Sequence, residues 1–452
     1  MAVLYVILSW TVMFLLFLAF IAFLSFCLYM KHIHNKYDHI PGPPRDSFLF
    51  GHSPSFLRAL KNDEVIFDTF LEWAENYGPV CRLNLLHYVV ILVTCPEGTK
   101  EILMSPKYPK DYSYKRLSQL FGLRFLGNGL VTTQDHELWY KQRRIMDPLF
   151  SSLYLRGLMD TFNERAEKLM TKLVEVADNQ TEASMLRLVN FVTLDVIAKV
   201  AFGMDLDMLK NNKFLWEACR LLRTTGAQWI HDRKTAMQNG EDVSKDILTQ
   251  IIKSAGKEES MTSEDEELML DNFVTFFIAG QETTTNQVAF CIMELTRHPD
   301  ILEKLKKEVD DVIGMKRDIS YDDLGKLVYL SQVLKETLRI YPTAPATTRD
   351  VPNDIVIDGI HIPKGVACFF SSYVTGRMDK FFKDPLKFDP DRFHPDVFCL
   401  FCKMEAKLVM AKLLQRFDFT LSPGQTFDIV DNGTLRPKSG VVCSVRHRND
   451  KK

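Results

Sequence analysis

The chain has 452 residues, of which 46% are apolar and 25% charged, enough for a large core and too apolar for wholesale disorder. Its 56 basic and 58 acidic side chains leave a net charge of −2, so no cationic surplus exists to hold a polyphosphate backbone, and nucleic acid is not an expected partner. Nine scattered cysteines, an odd number, do not make a disulfide scaffold and point to a reducing compartment.

From Ala2 to Met30 there is no Asp, Glu, Lys or Arg. As a helix this stretch spans ~43 Å, more than the ~30 Å of bilayer hydrocarbon. A signal peptide would need a basic leader, a shorter apolar run and a small-x-small cleavage site, none of which is clear. Residues 2–30 are therefore expected to be a transmembrane anchor. Lys31 and Lys36 follow it and keep the body in the cytosol by the positive-inside rule, which would leave the sequons at Asn179 and Asn432 unmodified. Residues 31–45, with Pro41-Gly42-Pro43-Pro44, form a basic, proline-rich hinge that acts as a stiff spacer.

Short strands are expected at Val80–Leu85 and Val89–Val93, and a helix starting at Pro96. The pattern then stays helical to about Lys210, with Met185–Phe202 apolar nearly all round, as for a central buried helix. Ser263-Glu-Asp-Glu266 has capping-box spacing and opens a long helix that ends near Pro299. Helices over Asp300–Ile313 and Tyr321–Ile340 follow, then an Asp-Gly hairpin at Ile355–Ile362. A last helix covers Met404–Arg416, and Val441–Val445 reads as a closing strand. The fold class is mainly α with small β-sheets.

Ala279-Gly280-Gln281-Glu282-Thr283-Thr284 interrupts the apolar run of the long helix. Gly weakens a helix and Glu resists burial. Such a hexapeptide is either a solvated patch or a locally opened helix, in which Gly280 leaves room for a small ligand, Thr283 offers a hydroxyl and Glu282 relays protons. Glu336-Thr-Leu-Arg339 is by itself an ordinary i,i+3 salt bridge. Trp139-Tyr-Lys-Gln-Arg143 is by itself the basic edge of an amphipathic helix, and Asp389-Pro-Asp-Arg-Phe393 a turn.

Their order along the chain resembles that of the microsomal cytochromes P-450. Anchor, proline hinge, Trp-x3-Arg, Ala-Gly-x-Glu-Thr-Thr, Glu-x-x-Arg, Pro342 with Arg349, and Pro-Asp-Arg-Phe span nearly the whole chain. Within the family, the sterol hydroxylases are the most similar, through His39–Arg45, Asp271–Gln287, Tyr329–Arg339 and Met404–Arg416. The resemblance implies a haem monooxygenase on the endoplasmic reticulum membrane. Its electrons would come from NADPH through cytochrome P-450 reductase, and its substrate would be a sterol, cholesterol being the one implied. Residues 46–452 would form the P-450-like domain. Trp139, Arg143 and Arg349 would bind haem propionates, and Ala279 and Gly280 would wall the oxygen groove. Glu282 and Thr283 would deliver protons. Glu336, Arg339 and Arg392 would form a buried ionic lock. The loop around Ser113–Gly129 and the segment Thr343–Thr348 would line the sterol pocket.

The chain departs from this pattern in two places. The family's iron ligand is the Cys of Phe-x-x-Gly-x-Arg-x-Cys-x-Gly. Here only eleven residues, His394 to Met404, separate Phe393 from Glu405, and they contain neither Gly nor Arg. Counting back from Glu405 by the family spacing reaches Asp396. Cys399-Leu-Phe-Cys402 lacks the glycines that turn backbone N–H groups toward a thiolate, and has no second pair to complete a zinc site. It could be a redox pair; replacement of the loop or a splice junction explains it better. The stretch near 204–245 is also short for two helices roofing a pocket. No metal ligand is assigned. The alternative function is a membrane-anchored, non-catalytic P-450-like protein that binds lipid or partners only.

Overall fold

The computed structural model describes residues 2–120, 122–178, 181–204, 215–244, 246–255, 262–393 and 401–448, with the side chains at 2, 120, 149, 215–221, 254–255 and 401–403 excepted. Asn179, Cys399, and parts of the regions near 204–245 and 394–404 that were expected to be short lie outside this set. The chain is mostly helical with small sheets, and its residues divide into two compact units: 1–109 with 346–378, and 110–345 with 379–452.

The first unit opens with a helix over Ala2–Tyr37, long and apolar enough to cross a membrane. Most of its side chains up to Tyr29 are exposed, whereas Met30 and Tyr37 are buried. Helix therefore continues through the first part of the expected hinge. The prolines beyond it are docked: the Arg82 N–H donates to the Pro41 carbonyl at 2.7 Å, and His52 Nε2 contacts the Pro43 carbonyl at 3.2 Å. A Cβ at Gly42 would lie 2.6 Å from the Arg82 carbonyl, so glycine is needed for this close approach. Residues 31–45 are thus helical as far as Tyr37 and held against the body through the Pro41 and Pro43 carbonyls.

Four strands form one mixed sheet in the order Val80–Leu85, Tyr88–Val93, Val366–Ser371, Ala346–Val351. The last two were not anticipated as strands. Tyr88–Val93 pairs parallel with Val366–Ser371, and the other neighbours are antiparallel. The hairpin of Ile355–Ile357 with Ile360–Ile362 turns through Asp358 (φ 50°) and Gly359 (φ 75°), the double positive φ that an Asp-Gly turn accommodates.

In the second unit the long helix, Ser263–Arg297, packs against Met185–Phe202. Thr193 and Thr285 share a 2.6 Å hydrogen bond between them. The capping box sits one residue earlier than expected. Thr262 Oγ1 accepts from Asp265 N at 3.2 Å, and Thr262 N donates to the Asp265 carboxylate at 2.9 Å. The helix expected over Tyr321–Ile340 is two, Tyr321–Lys326 and Val328–Ile340. Its break has a cause: Glu308 accepts the N–H groups of Tyr329 and Leu330 at 2.6 and 2.8 Å, capping a fresh N-terminus. Phe417–Leu421, Val442–His447 and Glu182–Ser184 make a small sheet, and Ile429–Asp431 pairs with Leu435–Pro437.

Candidate functional site

The long helix is buried from Met269 to Thr275 and again from Thr284 to Leu295; between them only Ala279 is exposed. Phe276, Ala279 and Thr283 recur at helical spacing, so they mark one face at this window. The helix is continuous there, which corrects the expectation of a locally opened turn. Thr283 Oγ1 donates to the Ala279 carbonyl at 2.8 Å, and Thr285 Oγ1 to the Gln281 carbonyl at 2.9 Å, so these hydroxyls back-bond within the helix.

Gly280 lies at a close helix crossing. A Cβ there would meet the Ile197 side chain at 2.7 Å, so glycine lets the Met185–Phe202 helix come close. Glu282 is half-buried and accepts a 2.6 Å hydrogen bond from the Thr434 hydroxyl, on the turn between Ile429–Asp431 and Leu435–Pro437. The acid is thus tied to a hairpin that is distant in sequence.

Glu336, Arg339 and Arg392 come together. Arg339 binds the Glu336 carboxylate through Nε at 2.7 Å and Nη2 at 2.8 Å, a two-pronged pair, and Arg392 Nε stands 3.4 Å from it. The Asp389 N–H adds a 2.8 Å bond. The Glu336 side chain is fully buried, so this is an interior cluster and not a surface bridge.

The three candidate propionate residues are less committed. Trp139 stacks on His136, and exposed Arg143 pairs with Asp147 at 2.7 Å along one helix, His136–Met146. Arg349 belongs to the other unit, where it donates to Thr347 Oγ1 at 2.9 Å and the Thr348 carbonyl at 2.8 Å.

Sequence reasoning missed Asp271. Its fully buried carboxylate accepts from Arg124 at 2.6 and 3.0 Å, from Arg223 at 3.0 Å and from the Asn128 N–H at 2.8 Å. This fixes the Ser113–Gly129 loop on the long helix. An Asp inside the apolar stretch that follows the acidic first turn was the available signal.

The donor set can be tested against the haem that the family implies. Cationic side chains are present, but among the described residues no thiol is placed as a thiolate ligand. Cys81, Cys291, Cys368 and Cys443 are buried, and burial pushes their thiols up to about 12, which disfavours thiolate. Cys27 lies on the Ala2–Tyr37 helix and Cys95 is buried, its thiol also raised by burial. The segment carrying Cys399 and Cys402 lacks the family's glycines. Just beyond it, Glu405 is buried, and its Oε1 finds no donor among the described residues. Burial raises its carboxyl well above the usual range, against a smaller lowering by the Thr284 hydroxyl. These residues do not fit a haem-thiolate.

The profile of the cytochrome P-450 family matches residues 41–220 and 212–397. The chain is 26% identical over 484 residues to cytochrome P-450 4d2 of Drosophila melanogaster, covering 90% of this chain and 94% of that one. It is 27% identical over 441 residues to human cytochrome P-450 3A7, covering 84% and 85%. A third relative, the probable cytochrome P-450 4e1 of Drosophila melanogaster, is 27% identical over 420 residues, covering 78% of each chain. With the matched profile reaching well beyond half its length, this chain belongs to the cytochrome P-450 family of haem monooxygenases.

Proposed function

We propose that the chain is built on the plan of a sterol side-chain hydroxylase of the cholesterol 24-hydroxylase type, and that this polypeptide binds sterol without oxidising it. The ligand segment carries the second half of that reading: eleven residues without Gly or Arg stand where a haem-ligand loop is required. The haem is the group that would supply oxygen activation, and its axial sulfur cannot be replaced by propionate grips at Trp139, Arg143 and Arg349. Those residues, with Glu282 and Thr283, keep their family positions without the centre they would serve. Reductase and NADPH belong to a version of the chain that retains that centre.

The less buried face at Phe276, Ala279 and Thr283, set between two buried stretches of the helix, supports the sterol half, since Phe276 and Ala279 give it an apolar part. The Ala2–Tyr37 helix, long and apolar enough to cross a membrane, supports attachment to a bilayer, where sterols are concentrated; we assign the protein to the endoplasmic reticulum, single-pass, with the body in the cytosol. A photoreactive cholesterol analogue, incubated with the full chain in nanodiscs, tests the assignment. It should label peptides containing residues 276–283, and cholesterol should compete better than oleate. Equal competition by oleate withdraws the sterol specificity, and no labelling of this helix withdraws the binding site.

A further inference from the structure

A cavity of about 100 Å³ lies between the His136–Met146, Ile247–Ala255 and Ser263–Arg297 helices, on a face of the first that does not carry Trp139 or Arg143. Leu138, Ile145, Ile251 and Leu268 supply apolar walls, with Gln142 and Asn272 as buried polar members. Gln142 is 3% exposed. Its Nε2 donates to the Asn128 carbonyl at 3.1 Å, while its Oε1 has no hydrogen-bond donor among the described residues. An amide flip would not cure this, because it would set oxygen against oxygen at Asn128.

The neighbouring polar groups are already engaged. Asn272 Oδ1 accepts from Leu130 N at 3.0 Å, and its Nδ2 donates to the Leu268 carbonyl at 3.1 Å. Asp265 is held by Thr262, and Lys141 is exposed. An isolated water needs roughly 2–4 polar partners, whereas this cavity presents chiefly one vacant acceptor among apolar walls. Its best complement is a small molecule with an O–H donor at one end and hydrocarbon elsewhere. A dry cavity of roughly 150 Å³ holds benzene, so a smaller body, such as a four-carbon alcohol, suits this one.

We propose that this cavity is a binding site for short aliphatic alcohols, with the ligand hydroxyl donating to Gln142 Oε1. The proposal does not depend on haem or on the sterol reading. Because His136–Met146 forms one wall, occupancy should brace that helix against local opening.

Hydrogen exchange of the full chain in nanodiscs tests this, with 1-butanol and its methyl ether as probes. Butanol should slow exchange of the locally opening amides in 136–146 in a saturable way. At ten times the midpoint concentration the slowing should be about tenfold, by the linkage of binding to opening. The ether, which lacks the donor, should not reproduce it. Gln142→Met should abolish the protection, as should Leu268→Phe, which fills the space and leaves Gln142 in place. Equal protection by the ether, protection that survives in both variants, or no butanol protection of these amides overturns the proposal.

Discussion

Two buried carboxylates flank the altered segment between Phe393 and Glu405, and their surroundings differ sharply. Glu336 receives two bonds from Arg339, one from the Asp389 N–H and the nearby charge of Arg392. Glu405 is equally interior, yet one of its oxygens has no donor among the described residues. The contrast is between a carboxylate enclosed by arginines and a backbone N–H, and one with an oxygen that has no hydrogen-bond donor among the described residues.

The largest effect should come from breaking the satisfied side. Glu336→Ala strands the Arg339 guanidinium in the interior, and losing one partner of a buried pair costs about 3–5 kcal/mol. Chemical denaturation of the intact protein checks this; an unchanged midpoint would mean that Glu336 contributes no more than a surface bridge.

Asp271 sharpens the comparison as a second fully engaged acid. Asp271→Asn removes the charge facing Arg124 and Arg223, and should cost about 2–3 kcal/mol, less than at Glu336 because Arg124 is 40% exposed. Limited proteolysis should then cut the Ser113–Gly129 loop faster. If cleavage there is unaffected, Asp271 does not anchor the loop.

The orphaned side should respond in the opposite sense and more modestly. The folded-state pKa of Glu405 is raised above its ordinary 4.5 by burial, so its favourable contribution is present below that value and lost as pH rises through the folded pKa. Stability should therefore fall with rising pH over this window. Glu405→Gln should flatten that fall and gain on the parent toward alkaline pH. Parallel pH–stability curves for parent and variant would place the carboxylate in a solvated or paired setting.

What could be seen in the sequence divides along the same physical line. The Ile355–Ile362 hairpin and Met185–Phe202 helix follow from local turn chemistry and apolar pattern, and both are present. Glu336-x-x-Arg339 became a buried lock only through the family resemblance, since its spacing alone suits any helix surface. The capping box slipped by one residue because Thr262 with Asp265 and Ser263 with Glu266 satisfy the same spacing. The split in Tyr321–Ile340 was invisible because its cap, Glu308, belongs to another helix. The packing need at Gly280 was hidden for a similar reason: Ile197, which leaves no room for a side chain there, is far away in sequence. Asp271 takes its partners from positions 124, 128 and 223, a convergence that only the folded chain displays.

The central claim is that this chain keeps a P-450 scaffold without the sulfur that makes the haem reactive. The reduced carbon monoxide difference spectrum of the purified full chain, supplied with haem, tests it most directly. The expected result is no red-shifted thiolate band, together with no sterol hydroxylation when reductase and NADPH are added. A red-shifted band that disappears in the Cys399→Ser, Cys402→Ser double variant would show that one of these cysteines binds iron, and would contradict the claim.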